Sequence, residues 1–352
     1  MSRFADAVTK STWVTRCVPG DLEVTWGPAE SPGPGNLLLC EVLRTGIHGR
    51  VERATGARSK IYAGDHIVCV VGARYATSML EAVAEVGVDR VDMISASGLC
   101  GRVVARSRDT SSPTRLRPIA QAFVGSRALN VRDFALPITP LVGDAPMPRW
   151  VVVVGSSMDS GKTTACVSLI RGLATAGLRV GATKLTGTAS ARDFGAFRDA
   201  GASPVVDFLD AGWPSTVGCT TRELSDLLSA LTGNLRAAAV DWGVIEIADG
   251  LLQRETRELL AMIEGQLGSC EIVLTVGDAL GAVAGVDLLA GHGLTVGAVA
   301  GLVTNSPLAC REVEEACGVP CVATSQLGHR VVLGSWVGDD LDPLDALGEA
   351  FV

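Results

Sequence analysis

Trp150-Val-Val-Val-Val-Gly155-Ser-Ser-Met-Asp-Ser-Gly161-Lys162-Thr163-Thr164 is the stretch that decides how this chain folds. Its first six residues make a fully apolar run closed by glycine, which reads as a buried strand. A helix is expected from about Gly161 to Ala176, with Val167, Ile170, Leu173 and Ala174 on one face and Gly177 as its stop. Small residues between strand and helix let consecutive backbone N–H groups converge on phosphate oxygens. The helix N-terminus adds partial positive charge, and Lys162 can reach the outer phosphates. Thr163 offers a hydroxyl for magnesium. Five residues separate Gly155 from Gly161, one more than in the common G-x-x-x-x-G-K-[ST] spacing. Gly155, Ser156, Ser157, Met158, Asp159, Ser160, Gly161, Lys162, Thr163 and Thr164 are therefore read as a phosphate cradle.

Downstream, strands alternate with helices, the pattern of a parallel sheet covered on both faces. Strands are expected at Arg179 to Leu185, Pro204 to Leu209, Trp242 to Ile247, Glu271 to Val276, Val296 to Val303 and Pro320 to Ala323. Thr220-Thr-Arg-Glu223 has capping-box spacing before Leu224, Leu227, Leu228 and Leu231, and further helices are expected near Gln253 to Leu267, Ala279 to Ala290 and Pro307 to Ala316. Upstream, short apolar or alternating runs at Asn36 to Leu43, Arg50 to Ala54, Ser59 to Ile61, Asp65 to Val71, Val103 to Arg106 and Arg117 to Leu136 read as a small barrel or sandwich, with one helix near Thr77 to Val86. The paired prolines of Asp144-Ala-Pro-Met-Pro-Arg149 separate the two patterns. The expected fold class is thus α/β: a mainly β, barrel-like domain over residues 1–147, then a parallel-sheet nucleotide-binding domain over residues 148–352.

Composition limits the partners. Across 352 residues the net charge is -8 and aromatics make up 4%. An acidic chain lacks the charge for a general nucleic-acid backbone binder, and few aromatics leave little surface on which single-stranded bases could stack. The first ten residues carry Arg3, Asp6 and Lys10 with no apolar core behind them, so no secretory signal is read there and a cytoplasmic protein is expected. Ala279 to Ala309 is broken by Asp287 and by glycines and reads as helix, turn and strand instead of a membrane span. The ten cysteines lie mostly in apolar runs and are expected as thiols; only Cys310, Cys317 and Cys321 cluster.

The cradle, with its five-residue spacing and internal Asp159, resembles the loop of the dethiobiotin synthetase-like branch of P-loop proteins, the SIMIBI class. The likeness covers about Arg149 to Ser325 and implies an ATP- and magnesium-dependent chemistry. Further places agree in order. Val180-Gly-Ala-Thr-Lys184 ends in a lysine, and strand C-terminal ends line the ligand crevice of an open α/β sheet. Lys184 is one of only four lysines beside 26 arginines, two of which stand at such positions. In the similar enzymes the corresponding lysine contacts the transferred phosphate and the acceptor. Trp242-Gly-Val-Ile-Glu246-Ile-Ala-Asp249-Gly250 is an apolar strand closed by carboxylates, which need a cation or donors to be buried. The resemblance gives Glu246 the magnesium-side role, although the similar synthetases continue into a glycine-rich turn. Asn305, in Gly301-Leu-Val-Thr-Asn305, stands where the family reads the base, and a carboxamide matches the N6 and N7 edge of adenine. Spacing after Lys184 makes Asp199 the match to an additional metal carboxylate, with Asp193, Asp207 and Asp210 nearby.

The expected function is a small-molecule kinase, or a ligase acting through a mixed anhydride. Lys162, Lys184 and Glu246 are its catalytic residues, and Thr163, Glu246 and Asp199 its metal side. The first domain would complete the acceptor pocket or form a homodimer interface. Other readings are a nucleotide-dependent switch or metal-delivery protein with Cys310, Cys317 and Cys321 as cargo ligands, a polynucleotide kinase, and an acyltransferase on the same fold.

Overall fold

The structure, a computed structural model, describes residues 2–4, 10–137, 147–329 and 336. The chain divides into two compact units. The first comprises Met1–Pro137, Thr186–Gly195 and Asp207–Ala230, and the second Ile138–Leu185, Ala196–Val206 and Leu231–Val352. Two segments downstream of the proline pair therefore group with the first unit. Half of that proline pair's segment, residues 144–146, lies outside the described residues. Among the described residues no helix is long and apolar enough to cross a membrane.

The second unit is built on a six-stranded sheet. Its strands are β1 (Arg149–Gly155), β2 (Val180–Lys184), β3 (Val205–Asp207), β4 (Trp242–Glu246), β5 (Cys270–Thr275) and β6 (Val296–Ala300), in the spatial order β3-β2-β4-β1-β5-β6. The ladders joining β2, β4, β1, β5 and β6 are all parallel. Along the chain, helices α1 (Lys162–Thr175), α2 (Ala191–Ala200), α3 (Thr221–Ala237), α4 (Arg254–Leu267), α5 (Ala279–Ala290) and α6 (Pro307–Cys317) alternate with these strands, residues 191–195 of α2 and 221–230 of α3 grouping with the first unit. Val151 and Val153 of β1 pack with Ala165, Cys166, Leu169, Ile170 and Leu173 of α1, while Val152 and Val154 on the other face are equally buried. Burial on both faces explains why β1 is continuously apolar instead of alternating. Before α3, Thr220 N–H donates to Glu223 Oε2 at 2.8 Å and Glu223 N–H to Thr220 Oγ1 at 3.3 Å, the reciprocal capping pair that the spacing implies.

Three elements differ from the sequence reading. Helix α2 occupies a stretch between Leu185 and Pro204 to which the sequence assigns no element. β6 stops at Ala300, where Gly301 (φ 94°) turns the chain into a 3₁₀ turn over Leu302–Asn305. Pro320 to Ala323 makes a single bridge, Val299 to Cys321, because Pro320 has no N–H to extend a ladder.

In the first unit, five strands close on themselves. Thr114–Val124 pairs Leu37–Arg44, which pairs His66–Val71, then Leu99–Arg106, then Val91–Met93, which returns to Thr114–Val124. All these ladders are antiparallel except that between His66–Val71 and Leu99–Arg106. Leu38, Cys40, Val42, Ile67, Cys69, Val71, Val91, Met93, Cys100 and Leu116 fill one buried cluster from all five strands. The expected barrel is present. The helix expected near Thr77 to Val86 is instead a hairpin of Arg74–Ala76 and Leu80–Val83. Leu80 and Ala82 are buried and Glu81 exposed, so a period of two overrides the helical propensity of Leu-Glu-Ala once Leu80–Val83 pairs with Leu99–Arg106.

One histidine of this unit is held neutral. Burial and the neighbouring Arg74 lower the pKa of His48 from 6.5 to about 4. Arg74 Nη1 lies 3.4 Å from His48 Nε2; a guanidinium only donates, so that ring nitrogen accepts. The unfolded chain protonates this imidazole near pH 6.5 and the folded chain only near 4, so its contribution to stability is lost as pH falls through that window. Denaturant titrations should show the unfolding free energy of the wild type falling more steeply from pH 6.5 to pH 4 than that of His48→Asn. Parallel slopes would contradict this account.

Candidate nucleotide site

The end of β1 has no room for a side chain. A Cβ on Gly155 would collide with Ser160 Oγ and stand 2.9 Å from Thr275 Oγ1 and 3.1 Å from Lys162 Cδ. Beyond it, Asp159 (φ 63°) and Gly161 (φ 107°) both adopt left-handed backbone, and Gly161 is the N-cap of α1. Aspartate is among the side chains that tolerate this conformation. Two such turns within three residues fold the loop back so that α1 starts beside the strand it follows. Ser157, Asp159 and Thr164 are exposed, Ser156, Met158, Gly161 and Thr163 half-buried, and Ser160 buried.

Lys162 is 6% exposed, and its ammonium donates to Ser157 O at 2.8 Å and Asp249 O at 2.7 Å. Burial lowers its pKa, while the charges of Glu246 and Asp249 oppose that shift. The ammonium thus spans the loop and the tail of β4. That tail lies directly on the loop: Leu251 N–H donates to Gly155 O at 3.0 Å, and a Cβ on Gly250 would stand 2.7 Å from Ser156 O. Asp249 is itself left-handed (φ 64°). The Ile-Ala-Asp-Gly sequence after Glu246 is therefore a fitted cover for the cradle, and only glycine fits at its contact point.

The register of the sheet sets the remaining charges. Glu246 is opposite Val153 of β1 on one side and Lys184 of β2 on the other. Lys184 Nζ stands 3.4 Å from Glu246 Oε1; the lysine side chain is 14% exposed and the carboxylate 2%. Glu246 Oε2 is buried and has no hydrogen-bond partner among the described residues. A buried carboxylate oxygen in that condition is costly unless a cation or donor takes it up. Magnesium is held in nucleotide sites by one or two carboxylates, a hydroxyl and phosphate oxygens, so Glu246 with Thr163 in the first turn of α1 fits that ion. Among the described residues no group of three histidine, cysteine or acidic side chains could hold a metal ion by itself. Cys310, Cys317 and Cys321 accordingly form no such group. Burial, and then a hydrogen bond to Cys310, push the Cys321 thiol up to about 12.

Asn305 is the exposed last residue of the 3₁₀ turn, not a strand end. The turn abuts the cradle: Leu302 N–H donates to Ser160 O at 3.3 Å, and a Cβ on Gly161 would stand 3.2 Å from Gly301 Cα. Asp199 is not brought to the loop. It lies in the last turn of α2, exposed; Gly201 packs on Ala174 at the end of α1, and Ser203 N–H donates to Val180 O at the start of β2. That is the opposite end of the sheet from Lys184, because the chain reverses between strand and helix.

Asp193, Asp207 and Asp210 belong to the first unit. There Arg16 Nη2 bridges Asp207 Oδ1 at 2.8 Å and Asp210 Oδ2 at 2.7 Å, with its guanidinium 4.5 Å from the Trp13 ring and 4.9 Å from that of Phe194. The two aspartates are engaged by a buried cation that the sequence reading did not single out. No spacing rule joins residues 191 positions apart.

No protein-family model and no curated protein matches the chain. Among solved structures, it is similar to the signal recognition particle receptor FtsY from Elizabethkingia anophelis. The identity is 17% over 56% of this chain and 68% of that one, with a TM-score of 0.35. A second structure of that receptor, in complex with GDP, gives 16% identity over 52% and 58% of the two chains, also at 0.35. Likenesses at this level say nothing of the activity of this chain. On its own strand, loop and helix, the second unit is a P-loop α/β domain.

Adding one methyl group at the base of the cradle tests its packing. Gly155→Ala should lower the unfolding free energy by about 1–3 kcal/mol through overpacking against Ser160 and Thr275. Chemical denaturation that finds the two proteins equal in stability would contradict the contacts assigned to Gly155.

Proposed function

We propose that this chain is an ATP- and magnesium-dependent enzyme that transfers a phosphoryl group to a small acceptor, as a kinase or as a ligase through a mixed anhydride. The observation that carries the reading is the pair of half-buried Lys184 and buried Glu246, one carboxylate oxygen of which lacks a partner among the described residues, beside the cradle that holds Lys162. A loop that merely joined strand to helix would have no use for a buried ammonium, a second half-buried one and a half-engaged carboxylate.

In this reading the loop N–H groups and Lys162 bind the triphosphate and stabilise charge as it spreads over the terminal phosphoryl oxygens. Lys184, at the end of β2 and across β4 from the loop, orients the acceptor and the group in transfer. Thr163 and Glu246 would hold magnesium, which when bound neutralises phosphate charge. Little covalent participation by the protein is required, so positioning and electrostatics carry the rate. Asn305, on the turn against the loop, would face the base, and its donor and acceptor suit adenine. The dethiobiotin synthetase-like resemblance supports ATP and this division of roles, and the acceptor would differ because the tail after Glu246 does. A polynucleotide acceptor is disfavoured by the net charge of -8.

Two substitutions separate binding from turnover. Lys162→Ala should abolish the thermal stabilisation given by ATP with magnesium. Lys184→Ala should keep that stabilisation and lower kcat for ADP release about 10²–10³-fold once an acceptor is found among pooled metabolites. Unchanged stabilisation in Lys162→Ala would contradict the cradle, and equal loss of binding in both would contradict separate roles.

A further inference from the structure

Thr275 closes β5 and lies outside every motif of the cradle, yet it grips the loop at both ends. Its backbone carbonyl accepts from Ser156 N–H at 2.9 Å, at the loop's first turn. Its hydroxyl lies 2.7 Å from Ser160 Oγ, at the loop's last turn, and donates to Val154 O at 3.2 Å. A carbonyl only accepts, so the single proton of Thr275 Oγ1 is committed to Val154, and Ser160 must donate its own to Thr275. Ser160 and Thr275 are 1% and 0% exposed, so no solvent can replace either bond. Gly155 sits between the two hydroxyls with no space for a Cβ. The direction of the chain has a consequence for ligand contact: Ser160 Oγ is turned inward and its proton is spent there.

We propose that Thr275 is a positioning residue for nucleotide binding, acting through Ser160 to fix the curvature of the cradle before phosphate arrives. This rests on the reading of residues 155–164 as a phosphate site. In the free protein a loop without this tether can relax by rotating Ser160. In the complex, the loop must return to the curvature that aims its N–H groups at phosphate, and a buried donor left without an acceptor is then costly. The loss therefore falls on binding more than on the stability of the free protein.

Calorimetric titration of a non-hydrolysable ATP analogue with magnesium tests this, with the melting temperature of the free protein measured in parallel. Thr275→Val, which keeps the shape and removes the hydroxyl, should raise Kd about tenfold. Thr275→Ser, which keeps the hydroxyl, should stay within about twofold of the wild type. Should Thr275→Val fold poorly, Ser160→Ala approaches the same bond from the other side. It should also weaken binding, and the double substitution should cost less than the sum of the single ones because both remove one interaction. Wild-type binding matched by Thr275→Val or by Ser160→Ala, or Thr275→Ser as weak as Thr275→Val, would overturn the role of the hydroxyl alone. No binding by the wild type would overturn the phosphate site and this inference together.

Discussion

The parallel register of β2, β4 and β1 is the constraint on which the rest of the second unit depends. Because Lys184 and Glu246 are paired across one ladder, and Glu246 and Val153 across the next, their side chains reach the same end of the sheet as the loop that leaves β1. Side chains alternate across a strand, so a slip of one residue in either ladder would send Lys184 or Glu246 to the other face and dissolve the constellation. The apolar content of β1, buried on both sides, holds that register in place.

Within this frame the charges are arranged to be left incomplete. An acidic chain places two of its four lysines, one at the end of β2 and one at the start of α1, near one buried carboxylate. Lys162 satisfies itself on two backbone carbonyls, one from the loop and one from the tail of β4, which ties the covering segment to the cradle. Glu246 is satisfied on one oxygen and not on the other. Structural ion pairs usually saturate both partners; the spare oxygen of Glu246 is the capacity on which the proposed cation would draw.

The strands and most helices of the second unit were legible because burial on two faces writes itself as unbroken apolar runs, and because Thr220 and Glu223 state where α3 begins. The cradle was legible for a similar reason, since only small residues with Gly-Lys-Thr can make it. What stayed hidden is what depends on pairing between distant segments. Leu80–Val83 became a strand through its ladder with Leu99–Arg106, against its local preference. Asp199 lies at the far end of the sheet because residues 191–200 form a helix, and a helix carries its last turn away from the strand end it follows. Arg16 with Asp207 and Asp210, and Thr275 with Ser160, are contacts across long separations that no spacing announces.

A crystal structure of the protein with magnesium and a non-hydrolysable ATP analogue tests the central claim most directly. The account predicts triphosphate density within the loop from Gly155 to Thr164, the terminal phosphate near Lys162 and Lys184, and a cation on Glu246. Ligand density elsewhere with that loop empty would contradict it.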